Sequence, residues 1–187
     1  MQDSDILNLF FEWGQLRRIH HEGWKVIGVT HPESVAEHNL RAAQIGFILA
    51  KLENYPNPYE VCTMVVFHDI GEARIGDIHK LAARYIRADE EGATREQLAP
   101  LQAIGEDIFR LWSQVEYPNN QAGAIAKDAD LLEQAVMAKE YIDRGYEAAQ
   151  HWIDNIAKAL QTETAKRLLE TLKRTKSYQW CLSKKGD

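Results

Sequence analysis

Cysteine is nearly absent from this 187-residue chain: Cys62 and Cys181 alone occur, far apart and without metal-binding or redox spacing. A disulfide scaffold is excluded, and Cys62, inside the apolar run Val61-Cys62-Thr63-Met64-Val65-Val66-Phe67, reads as a reduced core thiol. No stretch approaches the roughly 18 apolar residues needed to cross a bilayer. Met1-Gln2-Asp3-Ser4-Asp5 has no basic region followed by an apolar one, so no signal peptide is expected and a soluble, cytoplasmic protein is. Positive charge is also in deficit. With 22 Lys and Arg against 28 Asp and Glu, the net charge of −6 argues against a broad nucleic-acid-binding surface. A small anionic ligand fits that balance where a cation cancels the local charge. No repeat, linker or low-complexity tract interrupts the chain. One domain over residues 1–187 is expected, with a core over about 5–175 and a tail over 176–187.

Strand alternation is lacking too, and helical periodicity takes its place. Ile6, Leu7, Phe10, Trp13 and Leu16 predict a first helix from about Ser4 to Arg18. His20 to Pro32 reads as a loop. Ser34-Val35-Ala36-Glu37 fits a capping box that opens a helix on which His38 shares a face with Ala42, Ile45, Leu49 and Leu52. Asn57-Pro58 opens a third helix, expected to run to about Ile70 before Gly71. Short helical pieces are expected between Asp77 and Ala88. A second capping box, Thr94 to Gln97, predicts a helix to about Glu116 that must accommodate Pro100. Gln121 to Arg144 reads as a long buried helix, followed by helices over about Glu147–Leu160 and Glu163–Arg174. Tyr178, Trp180 and Leu182 are left to dock on the body or on a partner, and Lys184 to Asp187 to fray. The fold class is all-α.

The chemistry is concentrated in His68-Asp69, read with His38 and Asp130. Two imidazoles and two carboxylates from three segments suit one divalent cation, as sites between facing helices do. Each residue has a plainer alternative. His38 on an apolar face can be a hydrogen-bonded core histidine, and Asp69 can cap the turn near Gly71. Asp130 can pair with Lys127 at i, i+3, and Asp128 is its rival as ligand. Adjacent residues on a helix point about 100° apart, so His68 and Asp69 would clasp an ion lying against the helix side. Without a thiolate the set does not favour structural zinc, and Mn, Co, Ni, Fe, Zn and Mg all remain open. Glu72 and Asp77, each following a glycine, are candidate proton-transfer groups beside such an ion. His20, His21 and Arg41 flank the expected mouth, where simple solvent exposure is the favoured reading. Glu37 is expected among the carboxylates near the ion.

Pro32-Glu33-Ser34-Val35-Ala36-Glu37-His38, His68-Asp69-Ile70-Gly71-Glu72, Gly76-Asp77 and Lys127-Asp128-Ala129-Asp130 together resemble the HD-domain metal-dependent phosphohydrolases. More narrowly they are similar to the small branch that contains 5′-deoxynucleotidases. The resemblance covers roughly residues 5 to 145. It implies a helical bundle with the metal on His38, His68, Asp69 and Asp130, which selects Asp130 over Asp128. It further implies that Glu72 and Asp77 are catalytic and that Trp24 lies by the nucleotide. Gly23, where some of the branch carry arginine, and His79, where proline is common, depart from the pattern near the pocket. The implied reaction is hydrolysis of nucleoside 5′-monophosphates. A phosphodiesterase, an alarmone hydrolase and a non-catalytic metal-stabilised scaffold are the alternatives, and a homodimer is expected from the branch.

Overall fold

The computed structural model describes residues 1–182, so the fraying expected at Lys184 to Asp187 lies outside the described residues. Among these residues all regular structure is helical, apart from an isolated antiparallel bridge between His20 and Ser34. The helices are α1 (Asp3–Trp13), α2 (Glu22–Val26), α3 (Val35–Leu52), α4 (Pro58–Val66), α5 (Glu72–Ile75), α6 (Glu90–Leu98), α7 (Ala103–Glu116), α8 (Gln121–Asp143), α9 (Gln150–Ala159), α10 (Glu163–Arg174) and α11 (Gln179–Leu182).

α8 is the central helix, with buried residues on all sides, including Ile125, Ala129, Glu133 and Tyr141. A helix buried all round belongs in the middle of a bundle. Its alanines let α3, α4, α7, α9 and α10 pack close against it. Gly46 of α3 sits at a close crossing. A Cβ there would stand 3.3 Å from a Val65 methyl and 3.4 Å from Ala129, so α4 and α8 both pack close on α3 at this point. Around this axis lies the larger core, with Leu49, Val61, Met64, Ile125 and Ile153. A smaller core of Leu9, Leu16, Val35, Ile70, Leu98 and Trp112 joins the N-terminal turns to α6 and α7. His38 stands three residues after Val35 of the small core and four before Ala42 of the large one. Their seam is where the histidine is held.

The predicted cap of α3 forms. Ser34 Oγ accepts from the Glu37 amide, and the Glu37 carboxylate accepts from Ser34 N at 2.7 Å and Ser34 Oγ at 2.8 Å. Glu37 is therefore spent on the helix end. Other boundaries move. The α-helical part of α1 stops at Trp13 and tightens into a 3₁₀ turn, Gly14–Arg17, while α2 interrupts the expected loop 20–32. The Thr94–Gln97 box is not a helix start, because Asp89 caps α6 five residues earlier, accepting from Gly92 N at 2.8 Å. Gln97 instead reaches Trp13 (3.2 Å), Glu12 (2.9 Å) and the Ile70 carbonyl (3.2 Å). Pro100 ends that helix, and Gln102 (φ +54°) turns the chain into α7. The C-terminal aromatic segment does not dock on the body: Trp180 is 81% exposed, and Tyr178 and Leu182 are exposed with it. Asp143 anchors its root by accepting from Ser177 N at 2.8 Å.

Candidate metal centre

α4 ends at Val66, short of the predicted Ile70, so His68 and Asp69 lie in the turn between α4 and α5. That difference removes the geometric difficulty of two adjacent helical side chains diverging. Off the helix they converge, with His68 Nε2 3.1 Å from Asp69 Oδ2. α3 brings His38 to the same point and α8 brings Asp130. His38 Nε2 lies 3.4 Å from His68 Nε2, 3.3 Å from Asp130 Oδ1 and 3.7 Å from Asp69 Oδ2. His68 Nε2 is 3.7 Å from Asp130 Oδ1. Donors about 2.0–2.2 Å from one ion stand about 2.8–3.6 Å apart as neighbours in its shell, so this spacing suits a shared cation. His38, His68 and Asp130 are all buried, and Asp69 is half-buried.

Both rings are fixed from behind. His68 Nδ1 donates to the Val65 carbonyl at 2.7 Å, and His38 Nδ1 is bound to the Glu133 carboxylate. Each Nε2 is left to face the cluster, the tautomer that ligation requires. Glu133 is fully buried and also takes Arg41 Nε (2.7 Å) and Nη2 (2.6 Å). Arg41 bridges on to Glu140 at 2.8 Å, so it is a structural cation at 31% exposure and not the solvent-exposed residue predicted. Asn39, with its amide oriented to satisfy both of its groups, donates to Asp69 Oδ2 at 2.8 Å. Asp130 Oδ2 pairs with Lys127 at 3.1 Å, while Oδ1 faces the histidines and accepts from Gln134 at 2.8 Å. The ion pair foreseen as an alternative to ligation thus coexists with the cluster. Asp128, the rival ligand, is elsewhere. Its carboxylate accepts from Gln161 N, Thr162 N and Thr162 Oγ1 at 2.7–2.9 Å and holds the start of α10.

The field of the site draws positive charge. Burial opposes a charged His38, but hydrogen bonding to Asp130 and Glu133 outweighs it and raises the ring well above its ordinary value. His68 is raised in the same way, against burial, by Asp69 and Asp130. Burial would raise Asp130, yet Lys127 and the two histidines hold it well below the usual carboxylate range. Two carboxyls go the other way. Glu72 is pushed up to about 10 by burial first, then by Asp69, Asp77 and Glu90. Glu90 is pushed up to about 7 by burial, Glu116 and Asp69. The cluster's nitrogen and oxygen donors fit a divalent metal.

A cavity of about 420 Å³ opens onto the cluster, within the range of small-molecule sites. Glu72 and Asp77 are in its wall. Glu72 Oε2 is enclosed with no hydrogen-bond partner among the described residues. Gly76 (φ +74°) turns the chain after α5 and delivers Asp77 Oδ2 to Glu22 N at 2.6 Å. Trp24 lines the cavity but is 2% exposed. It stacks on Trp152, packs on Tyr141 and donates from Nε1 to Glu33 at 2.8 Å. His21 is half-buried, its ring 4.6 Å from that of His38 and its Nδ1 3.4 Å from Glu33, so it belongs to the site and not to open solvent. His20 is half-buried as well, with Nδ1 on the Pro32 carbonyl at 2.8 Å. Glu133 and Glu33 carry no sign of their roles in the sequence. Their partners His38 and Tyr141 lie 95 and 108 positions away.

An all-α bundle with a two-histidine, two-aspartate cluster under a polar cavity defines a class of helical proteins able to bind a divalent metal. A profile of the HD domain matches residues 13–173, and the chain belongs to that family. It is 30% identical over 162 residues to the 5′-deoxynucleotidase HDDC2 of Dictyostelium discoideum, covering 81% of this chain and 83% of that protein. With the human 5′-deoxynucleotidase HDDC2 the identity is 27% over 135 residues, covering 70% of this chain and 65% of the human one. Among solved structures, a conserved hypothetical protein from Pyrococcus furiosus superposes with a TM-score of 0.76 at 26% identity, covering 90% of this chain and 99% of that one.

Proposed function

We propose that the protein is a metal-dependent phosphoric monoester hydrolase that converts nucleoside 5′-monophosphates, 2′-deoxyribonucleotides foremost, to nucleoside and inorganic phosphate. The observation that carries this reading is the convergence of His38, His68, Asp69 and Asp130 at one point on the cavity wall. Relatives named 5′-deoxynucleotidase support the choice of monoester and sugar. In the proposal those four side chains hold the ion, drawn from Mn, Co, Ni, Fe, Zn and Mg. The chemistry a divalent ion supplies there when bound is Lewis-acid polarisation of the phosphoryl group and acidification of a water.

The chain's own groups do the rest. Asp77, with one oxygen pinned on Glu22 N, uses the other to orient the attacking water and take its proton. Glu72, whose Oε2 is enclosed without a hydrogen-bond partner among the described residues, carries the proton. It gives that proton to the 5′-oxygen as the phosphorus–oxygen bond breaks. Lys127 sets a positive charge beside Asp130 at the cavity and offsets the repulsion between phosphate and the acids. Trp24 supports the nucleoside end from behind. Such a division is what phosphoryl transfer asks of a protein, mainly positioning and charge stabilisation.

The proposal includes a homodimer in the cytoplasm. Leu7, Phe10 and Phe11 on α1, with Tyr178 and Trp180, leave aromatic and aliphatic surface uncovered on one chain. No helix among the described residues is long and apolar enough to cross a membrane. The test is chelation, refilling with single divalent ions, and a panel of nucleoside monophosphates, cyclic nucleotides and alarmone nucleotides assayed for products. Metal-restored phosphate release from the monophosphates is the expected result. Cleavage of the diester or pyrophosphate substrates alone, or of none, would overturn it.

A further inference from the structure

α9 supplies none of the metal donors and none of the acids, yet it forms part of the cavity wall through His151, Trp152 and Asn155. The neighbouring face of α9 is committed to the core, with Ile153 1% and Ile156 3% exposed. Residues 152 and 155 are i and i+3, side by side on the face that the cavity meets. We infer that this face binds the nucleobase: Trp152 is the stacking platform, and the Asn155 amide reads an edge of the base. The inference rests on the nucleotide reading above and assigns residues to its specificity.

Three features of Trp152 support a platform. Its ring is stacked on Trp24 with centroids 4.6 Å apart and planes 29° from parallel. Trp24 is in turn clamped by Glu33 and Tyr141, so the pair is rigid before any ligand arrives. A preorganised aromatic loses little freedom on binding. One face of Trp152 is occupied by Trp24, and the half-buried ring lines the cavity wall. Gly23 leaves the ring room, because a Cβ at that position would stand 3.3 Å from Trp152 Cζ2 and the ring would have to give slightly. Any larger residue there would push on the ring.

Asn155 is half-buried on the same wall, and its side chain has no hydrogen-bond partner among the described residues. An amide carries two donors and an acceptor, a set that matches base edges. Gln134, also in the wall, has its amide nitrogen engaged by Asp130. An aromatic platform and an unpaired amide share the cavity wall with the acidic cluster, so the cavity offers two chemically distinct sets of groups.

The test compares kcat/KM for a deoxynucleoside 5′-monophosphate with that for 2-deoxyribose 5-phosphate, which keeps phosphate and sugar but lacks the base. Trp152→Ala should lower the preference for the nucleotide by about 5- to 150-fold, mostly through KM, the range expected for one base–aromatic stack. Trp152→Phe should restore most of it. Asn155→Ala, which removes no packing on Trp24, should lower the preference by about 2- to 10-fold. A preference unchanged in both alanine variants would overturn the inference. If the metal-loaded wild type hydrolyses neither ester, the hydrolase reading fails, and titration of the deoxynucleoside alone then decides this one. Weaker binding to Asn155→Ala and Trp152→Ala than to wild type supports it; equal binding overturns it.

Discussion

Replacing Glu133 with glutamine should weaken metal binding without unfolding the protein. The Glu133 side chain is 1% exposed, binds His38 Nδ1, and takes two guanidinium nitrogens of Arg41 at 2.6 and 2.7 Å. Glutamine keeps the volume and an acceptor for the imidazole, but loses the charge that makes His38 a better donor to a cation. Changes to such outer carboxylates cost about 10- to 100-fold in metal affinity, or about 1.4–2.7 kcal/mol. Glu133→Ala should do more, since it leaves the His38 N–H unsatisfied and removes one partner of Arg41. Breaking a fully buried pair costs about 3–5 kcal/mol. Arg41 is 31% exposed and keeps Glu140 at 2.8 Å, so the loss should be nearer about 2–3 kcal/mol. Chelator competition measures the affinity, and thermal unfolding in chelator measures the stability separately. Wild-type affinity in Glu133→Gln would refute the argument that this carboxylate prepares His38 for ligation.

Asp69→Ala should abolish metal binding and phosphate release together, whereas Glu72→Ala should keep the ion and lose turnover; metal analysis beside activity separates the two. Asp128→Ala should cost about 1–3 kcal/mol by stripping three hydrogen bonds from the start of α10, with metal affinity unchanged, while Asp130→Ala should remove the metal. Equal metal loss in both would contradict the division of roles. Asp143 is held below its usual range: burial works against this, but Ser177 N, Lys139 and Lys176 outweigh it. A lowered folded-state pKa contributes stability above the unfolded value of 3.8, and that contribution fades as the pH falls below it. The Tm difference between wild type and Asp143→Asn should therefore be largest near neutrality and shrink below about pH 4; a difference that grows on acidification would refute it.

The helical class and the residues of the cluster could be read from the sequence because their signals are local. Ser34 and Glu37 are three positions apart and make their cap regardless of the rest of the chain. Asp130 lies in an apolar helix, a place that demands partners, but Asp128 shares that helix and only the resemblance to the family separates the two. Boundaries failed where two local signals competed. The run Val61 to Phe67 gives no stop before Gly71, so periodicity overran the end of α4 at Val66 and hid the turn that lets His68 and Asp69 converge. Thr94 and Gln97 mimic a cap but are buried in the packing of α6, while the actual cap, Asp89, lies in a charged stretch without a Glu or Gln three residues on. Roles set by distant contacts were not legible at all. Glu133 becomes meaningful only beside His38, and Arg41 only between Glu133 and Glu140.

Anomalous diffraction from crystals grown with a single divalent metal, such as Mn²⁺, is the most direct test. One ion per chain should appear about 2.0–2.2 Å from His38 Nε2, His68 Nε2 and a carboxylate oxygen each of Asp69 and Asp130. An ion bound elsewhere, or these four groups satisfied by one another with no anomalous peak between them, would contradict the account.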